Sequence, residues 1–236
     1  LRRQRQMCIR DRNYTGKTGK HDYSVLAGYT AQTTSERTAG IVGLGFPTDY
    51  IHTLNAATSF DLDGTYTQKY RTAMMSLLAR ATYSYDEKYL LSASIRTDGS
   101  SLFADGHQWG YFPSVSVGWR ASEEAFLKGV SWLNMLKLRA SFGVTGNQDI
   151  AAYSTLGMLS GASYGWGTST SSTGYWGYQF ATPGITWEKT YQYDLGLDMS
   201  IGGFNITVDW FKKQTKDLLF QKQVPKYNGG GTYWAV

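Results

Sequence analysis

The sequence is poor in the residues that most site chemistry needs. It holds one cysteine, Cys8, and three histidines in 236 residues. A single thiol excludes a disulfide framework and a cysteine metal site. His21, His52 and His107 show no metal-ligand spacing, so neither a metal nor another cofactor is expected. Charged residues make up 17 %, below the usual quarter, and proline occurs only four times. No run of about 18 apolar residues exists, which excludes a membrane helix. A charged n-region followed by an apolar h-region and cleavage site is also missing, so an export signal would have to lie outside this chain.

Basic charge is present but badly spread. The isoelectric point is about 9.1. "LRRQRQMCIRDR" (1–12) carries five Arg and one Asp, a net of +4, which leaves +1 of the total +5 for everything else. That balance is not the electrostatic footprint of a nucleic-acid binder. "MCIRDR" resembles translated sequencing-adapter readthrough. Residues 1–12 are therefore expected to be a non-native segment, which leaves 13–236 as the folded portion.

Aromatic residues and glycine are abundant: 18 Tyr, 8 Trp, 10 Phe and 27 Gly. The aromatics fall into long stretches of period-2 alternation. Ala73, Met75, Leu77, Ala79, Ala81, Tyr83 and Tyr85 share one parity, against Thr72, Ser76, Arg80, Thr82 and Ser84. Tyr89, Leu91, Ala93 and Ile95 alternate with Ser92, Ser94 and Arg96. Tyr111, Pro113, Val115, Val117 and Trp119 alternate with Ser114, Ser116, Gly118 and Arg120. Leu136 to Val144, Tyr191 to Ile201 and Phe204 to Trp210 repeat the pattern, and Tyr23 to Tyr29 is a weaker example. Strict alternation means strands with one apolar face. About seven strands of roughly 10 to 15 residues emerge, against about 5 or 6 in soluble sheets and about 9 to 11 for membrane-spanning strands.

The connections sort by length. "DEK", "SEEAFLKGVSW" and the Gly202-Gly203 hairpin signal are short, whereas 35–70, 99–109 and 146–185 are long. Tight turns on one side and large loops on the other are the asymmetry of outer-membrane barrels. One brief helix is expected after Ser122, with Glu123 and Glu124 in its first turn and Gly129 ending it. The expected fold class is an all-β, antiparallel up-and-down meander forming part of a transmembrane barrel. Tyr111 and Trp119 lie eight residues apart, about 26 Å along a strand and nearer 20 Å after tilting, which suits two aromatic girdles around a hydrocarbon band. Tyr83, Tyr85 and Tyr89 cluster by a short turn in the same way.

"YLLSASIRTDGSSLF", "WGYFPSVSVGWRASEEAF", "LKLRASFGVTGNQ", "TWEKTYQYDLGLD" and "KKQTKDLLF" resemble the barrel of the SusC/RagA family of TonB-linked outer-membrane proteins, and "NYTGKTGKHDYSVLAGYT" is similar to its strands. The resemblance covers nearly everything from Asn13 onward. It implies a barrel of about 22 strands with a plugged lumen. It also implies nutrient import of glycans or peptides across the outer membrane of a Gram-negative, Bacteroidetes-like cell. The implied partners are a SusD-like surface lipoprotein and the TonB complex, the latter through an N-terminal region that, like the plug and the remaining strands, is missing from this sequence.

Other patterns reduce to structure. "GKTGK" (16–20) lacks the first glycine and the strand-then-helix context of a phosphate loop and reads as a turn. "DLDG" (61–64) lacks the rest of a calcium loop and reads as an external loop tip. Glu123 and Glu124 would diverge by about 100° on a helix and do not form an acid–base pair. Asn205-Ile206-Thr207 falls inside a strand. No nucleophile elbow or Ser, His and acid constellation stands out, so an enzyme is not expected. The best binding candidate is 163–180, where Tyr164, Trp166, Tyr175, Trp176 and Tyr178 sit among Gly, Ser and Thr. Flat aromatic faces can stack on sugar rings or peptide side chains. The alternative reading is a soluble β-sandwich that binds carbohydrate or serves in adhesion, whose strands would be short and whose loops would not be sorted by length.

Overall fold

The computed structural model describes residues 2–51, 53–166, 170–225, 227 and 229–235. It is an antiparallel meander. Eight strands form one sheet: β1 (Arg2–Thr18), β2 (His21–Leu44), β3 (Ser59–Tyr85), β4 (Tyr89–Ser100), β5 (Trp109–Arg120), β6 (Leu133–Asn147), β9 (Glu188–Ile201) and β10 (Phe204–Lys216). Each pairs with its neighbour in that order, so β1 and β10 are its edges and the sheet does not close on itself. A second sheet, ordered β11-β12-β8-β7, is built from β7 (Met158–Trp166), β8 (Thr170–Gln179), β11 (Phe220–Gln223) and β12 (Thr232–Ala235).

The register carries the alternation across the whole sheet. One row runs Tyr23, Tyr83, Leu91, Val117, Ala140, Leu195, Trp210. The row on the opposite face, one residue along, runs Ser24, Thr82, Ser92, Ser116, Ser141, Asp194. Successive side chains on a strand point to opposite faces, so in-register pairing of seven strands sorts the two chemistries into two continuous surfaces. The apolar surface is not buried by the described chain: Leu91, Val117, Leu195 and Trp210 are all exposed. Among the described residues no second layer packs against it.

The buried core lies elsewhere, at the loop end. Phe103, Phe112, Val144, Ile150, Ile185 and Trp187 form it. The β5–β6 ladder stops at Ser114↔Gly143. Beyond it Phe112 packs edge-on to Trp187, with ring centroids 5.3 Å apart, and lies against Gly146, where a Cβ would fall 2.1 Å from the Phe112 ring. The Trp187 indole N–H donates to the carbonyl of Gln108 at 2.9 Å, tying the loop after β4 to the segment before β9.

Turns alternate with loops as the connection lengths imply. Gly19-Lys20, Asp86-Glu87 and Gly202-Gly203 make the tight turns, with Asp86 and Glu87 at φ of 52° and 54°. That is the left-handed pair a type I′ hairpin needs. Several expectations need correction. The 35–70 loop shrinks to 45–58, because β2 and β3 continue their pairing to Leu44↔Ser59 across a bulge at Gly40/Val42. The 146–185 loop contains the β7–β8 hairpin. "DLDG" lies within β3, where the Asp61 carboxylate accepts from the Asp63 amide at 3.0 Å, and of "GKTGK" only Gly19-Lys20 turn. The helix after Ser122 is only a 3-10 turn, Ala121–Glu123, followed by further turns. A single turn does not repay helix nucleation, and the carboxylate of Glu124 bonds to strand residues instead of capping.

Candidate functional site

Two places gather chemistry. The first is the turn end of the sheet. Tyr85↔Tyr89 and Tyr89↔Trp119 are directly paired, and Tyr83 lies two residues further up β3. The Tyr89 hydroxyl donates to Glu124 Oε1 at 2.7 Å and the Trp119 indole N–H reaches the same oxygen at 3.4 Å. His21 Nδ1 shares a 2.7 Å hydrogen bond with the Tyr83 hydroxyl. Lys88 Nζ stands 3.7 Å from both Glu124 and Asp86, and Lys20 is 3.0 Å from Asp86. These bonds hold the Glu124 carboxyl below its usual 4.5, first through Tyr89 and then Trp119. Asp86 is likewise lowered and Lys20 raised, each chiefly by the other. Tyr83, Tyr89 and Trp119 thus each have an apolar body on the sheet and a polar tip held at its rim. Tyr111 lies at the other end of the strand, opposite Thr97 and exposed, and Trp109 two residues away adds an aromatic that alternation alone did not single out.

The second place is the smaller sheet. Tyr164 pairs with Ser172 and Trp176 with Ser160, which puts Tyr164 and Trp176 on one face. The Tyr164 ring lies over Gly174, where a Cβ would come within 2.9 Å of it. Tyr178 packs edge-on to Trp176, centroids 6.4 Å apart, and its hydroxyl donates to Met158 Sδ at 2.9 Å. Tyr175 pairs with Gly161 on the opposite face and is 75 % exposed. Trp166 pairs with Thr170 through the backbone; its side chain and residues 167–169 lie outside the described residues. The structure therefore brings Tyr164, Trp176 and Tyr178 together and separates Tyr175 from them.

Sequence reasoning missed what faces these rings. β12 joins β8 at Thr232↔Gln179, and the Phe180 amide donates to the Thr232 carbonyl at 2.9 Å. A cavity of about 730 Å³ results, lined by Ser160, Trp176, Tyr178, Gln223, Val224, Gly229, Gly230, Gly231 and Thr232. Gly229, Gly230 and Gly231 all have positive φ, at 95°, 69° and 101°. At Gly231 a Cβ would sit 2.6 Å from the Gly177 carbonyl oxygen, so only glycine allows this approach. The "GGG" run was the available signal, but nothing in the sequence joined it to a segment some fifty residues upstream.

The polar face of the main sheet carries ion pairs. Arg139 reaches Asp198 and Asp209, each at 2.8 Å, lying over Gly196. Arg96 binds Asp98 through both carboxylate oxygens, at 2.8 and 2.9 Å. Among the described residues no three of His, Cys, Asp and Glu come together in a metal-binding group; His52 lies outside them.

An eight-stranded meander with one exposed apolar face, one polar face and loops sorted by side is a section of barrel wall. A family model described as TonB dependent receptor-like, beta-barrel matches residues 3–235. A TonB-dependent receptor of Formosa agariphila is 36 % identical over 212 residues, covering 89 % of this chain and 20 % of that protein. The TonB-dependent receptor SusC of Bacteroides thetaiotaomicron is 36 % identical over 162 residues, covering 66 % of this chain and 16 % of that protein. A solved structure of the RagAB peptide transporter superposes with a TM-score of 0.79 over 99 % of this chain and 27 % of that chain, at 23 % identity, a likeness of fold. The chain belongs to the TonB-dependent receptor-like β-barrel family, whose members are outer-membrane β-barrels. It spans about a fifth of the length of the curated relatives it matches.

Proposed function

We propose that this chain is a wall section, with ligand-contacting loops, of a TonB-dependent outer-membrane importer of glycan or peptide nutrients. The observation that carries the reading is the exposed apolar surface spanning seven strands: a face of Leu, Val, Tyr and Trp with no protein over it suits hydrocarbon. Tyr83, Tyr85, Tyr89 and Trp119 then form the girdle on the turn side and Tyr111 belongs to the girdle on the loop side. The polar row faces the lumen. Residues 13–236 are the barrel portion of this proposal, while 1–12 are proposed to be non-native even though β1 runs through them.

The wall does no covalent chemistry, so recognition falls to the loops, and Tyr164, Trp166, Tyr175, Trp176 and Tyr178 are the proposed contacts to ligand or to a SusD-like lipoprotein. Energy would come from the TonB complex through a plug region. Uptake of labelled oligosaccharide and peptide pools by cells expressing the full-length receptor tests this. Uptake that stops when the proton gradient is collapsed supports the reading; uptake indifferent to the gradient would sink it.

A further inference from the structure

We infer that the apolar face of the main sheet carries a seat for one acyl chain of a zwitterionic phospholipid. The inference rests on the barrel-wall reading above and adds a defined site to it. Two concavities lie on this face. One, of about 760 Å³, is bordered on the turn side by Trp119, Leu138 and Val208; the other, of about 530 Å³, is bordered toward the loops by Val115, Phe142 and Tyr193. Val117, Ala140, Leu195 and Trp210 line both, so the two run together over Ala140.

The furrow has its cause in the register. Val117, Ala140 and Leu195 are direct partners on three neighbouring strands. Ala140 has the shortest side chain of the three, and it stands between Leu138 and Phe142, which share its face of β6. From Leu138 to Phe142 the strand advances about 13 Å. One leaflet of a hydrocarbon core about 30 Å thick is about 15 Å deep, so the furrow matches a single chain from one leaflet. A chain lying in it touches a floor and two walls, where a flat wall would offer the floor alone.

The headgroup follows from the rim. Tyr89 and Trp119 border the furrow, and both hydrogen-bond to Glu124. Lys88 stands 3.7 Å from Glu124 and from Asp86, and Lys20 stands 3.0 Å from Asp86. Arg120 lies 3.7 Å from Glu87 and 3.8 Å from Glu123, which Lys128 approaches to 4.0 Å. Four cations thus interleave with four carboxylates. A phosphate gains from the ammonium and guanidinium groups, and a headgroup amine gains from the carboxylates. A headgroup of net charge finds no net attraction in a rim that sums to zero. The Glu87 and Lys20 side chains are 72 % and 63 % exposed, so both signs of charge reach outward from the turns.

The test uses the full-length receptor, stripped of lipid in detergent and inserted into nanodiscs of equal parts phosphatidylethanolamine and phosphatidylglycerol. Native mass spectrometry then counts the lipid that stays on the protein when the disc is dissolved. The expected result is a retained phosphatidylethanolamine on the wild type. Ala140→Phe fills the furrow without adding polarity and should lower that retention about tenfold, the equivalent of roughly two methylenes left unburied. Ala81→Phe, on the same face but over on β3, should retain lipid as the wild type does. Glu87→Lys makes the rim positive and should shift retention toward phosphatidylglycerol. Equal retention by Ala140→Phe and wild type, or a headgroup choice indifferent to Glu87→Lys, would overturn the inference. So would pairing of two receptors that Ala140→Phe abolishes, which would give the furrow to a second copy. Each of these leaves the barrel-wall reading intact. Failure of the wild type to enter the discs at all would instead overturn the wall reading itself.

Discussion

The hydroxyl of Tyr89 and the indole N–H of Trp119 converge on one oxygen of Glu124, from adjacent strands at the turn end of the sheet. Trp119 precedes Glu124 by five residues and Tyr89 by 35, so this carboxylate links a local aromatic to a distant one and fixes the height of both side chains at once. Its pKa is depressed. A group with a lowered folded pKa adds stability that is present above its unfolded value and lost as pH falls through the folded one. The window therefore lies below 4.5. Heat-modifiable gel mobility of the full-length protein should show wild type losing stability more steeply than Glu124→Gln as the pH falls below about 4.5. Parallel pH curves for the two would remove Glu124 from this role.

Trp187 is buried to 2 % exposure in the core that joins the two loops. Trp187→Ala should cost about 3 to 5 kcal/mol. The loss should be local, because the main-sheet ladders do not depend on it. Limited proteolysis is expected to open the segments 100–108 and 148–187 while the amount of barrel in the membrane changes little. Gly146→Val should mimic it, since any Cβ there meets Phe112. Unchanged protease patterns in both variants would count against a locked loop body.

Val117 and Ser116 are neighbours with opposite surroundings. Val117→Arg, on the apolar surface, should cost about 2 to 4 kcal/mol of barrel stability and lower the surface level. Ser116→Arg, on the polar row with Ser92 and Ser141, should leave assembly closer to wild type. Quantitative surface labelling separates the two. A reversal of their order would mean that the register is slipped by one residue.

Much of this was legible because alternation is a local signal. Val115, Val117 and Trp119 announce a face without reference to any partner, and the register then only has to align such faces. What was not legible depended on pairing across distance. "SERTAGIVGL" and "SFDLDGTYTQKY" look like loop, with glycine and carboxylates breaking the period, yet they pair with each other as the end of β2 and the start of β3, across an irregularity at Gly40/Val42. The aromatic run 163–180 was found by composition, but its division into two faces needed the Trp176↔Ser160 pairing. The missing half of the cavity, Gln223 and Gly229 to Thr232, came from beyond β10. Ser122 looked like a cap because the sequence could not show that Tyr89 and Trp119 would claim Glu124.

Spin labels on the full-length receptor in bilayers measure the face assignment most directly. Nitroxides at Leu91, Val117 and Leu195 are compared with nitroxides at Ser92, Ser116 and Asp194, using oxygen to report lipid and a water-soluble nickel chelate to report solvent. The expected result is oxygen-dominated relaxation at the first three and nickel-dominated relaxation at the second three, since the two rows lie on opposite faces of the same strands. Nickel access at Leu91, Val117 and Leu195 equal to that at the serines would contradict a lipid-facing barrel wall.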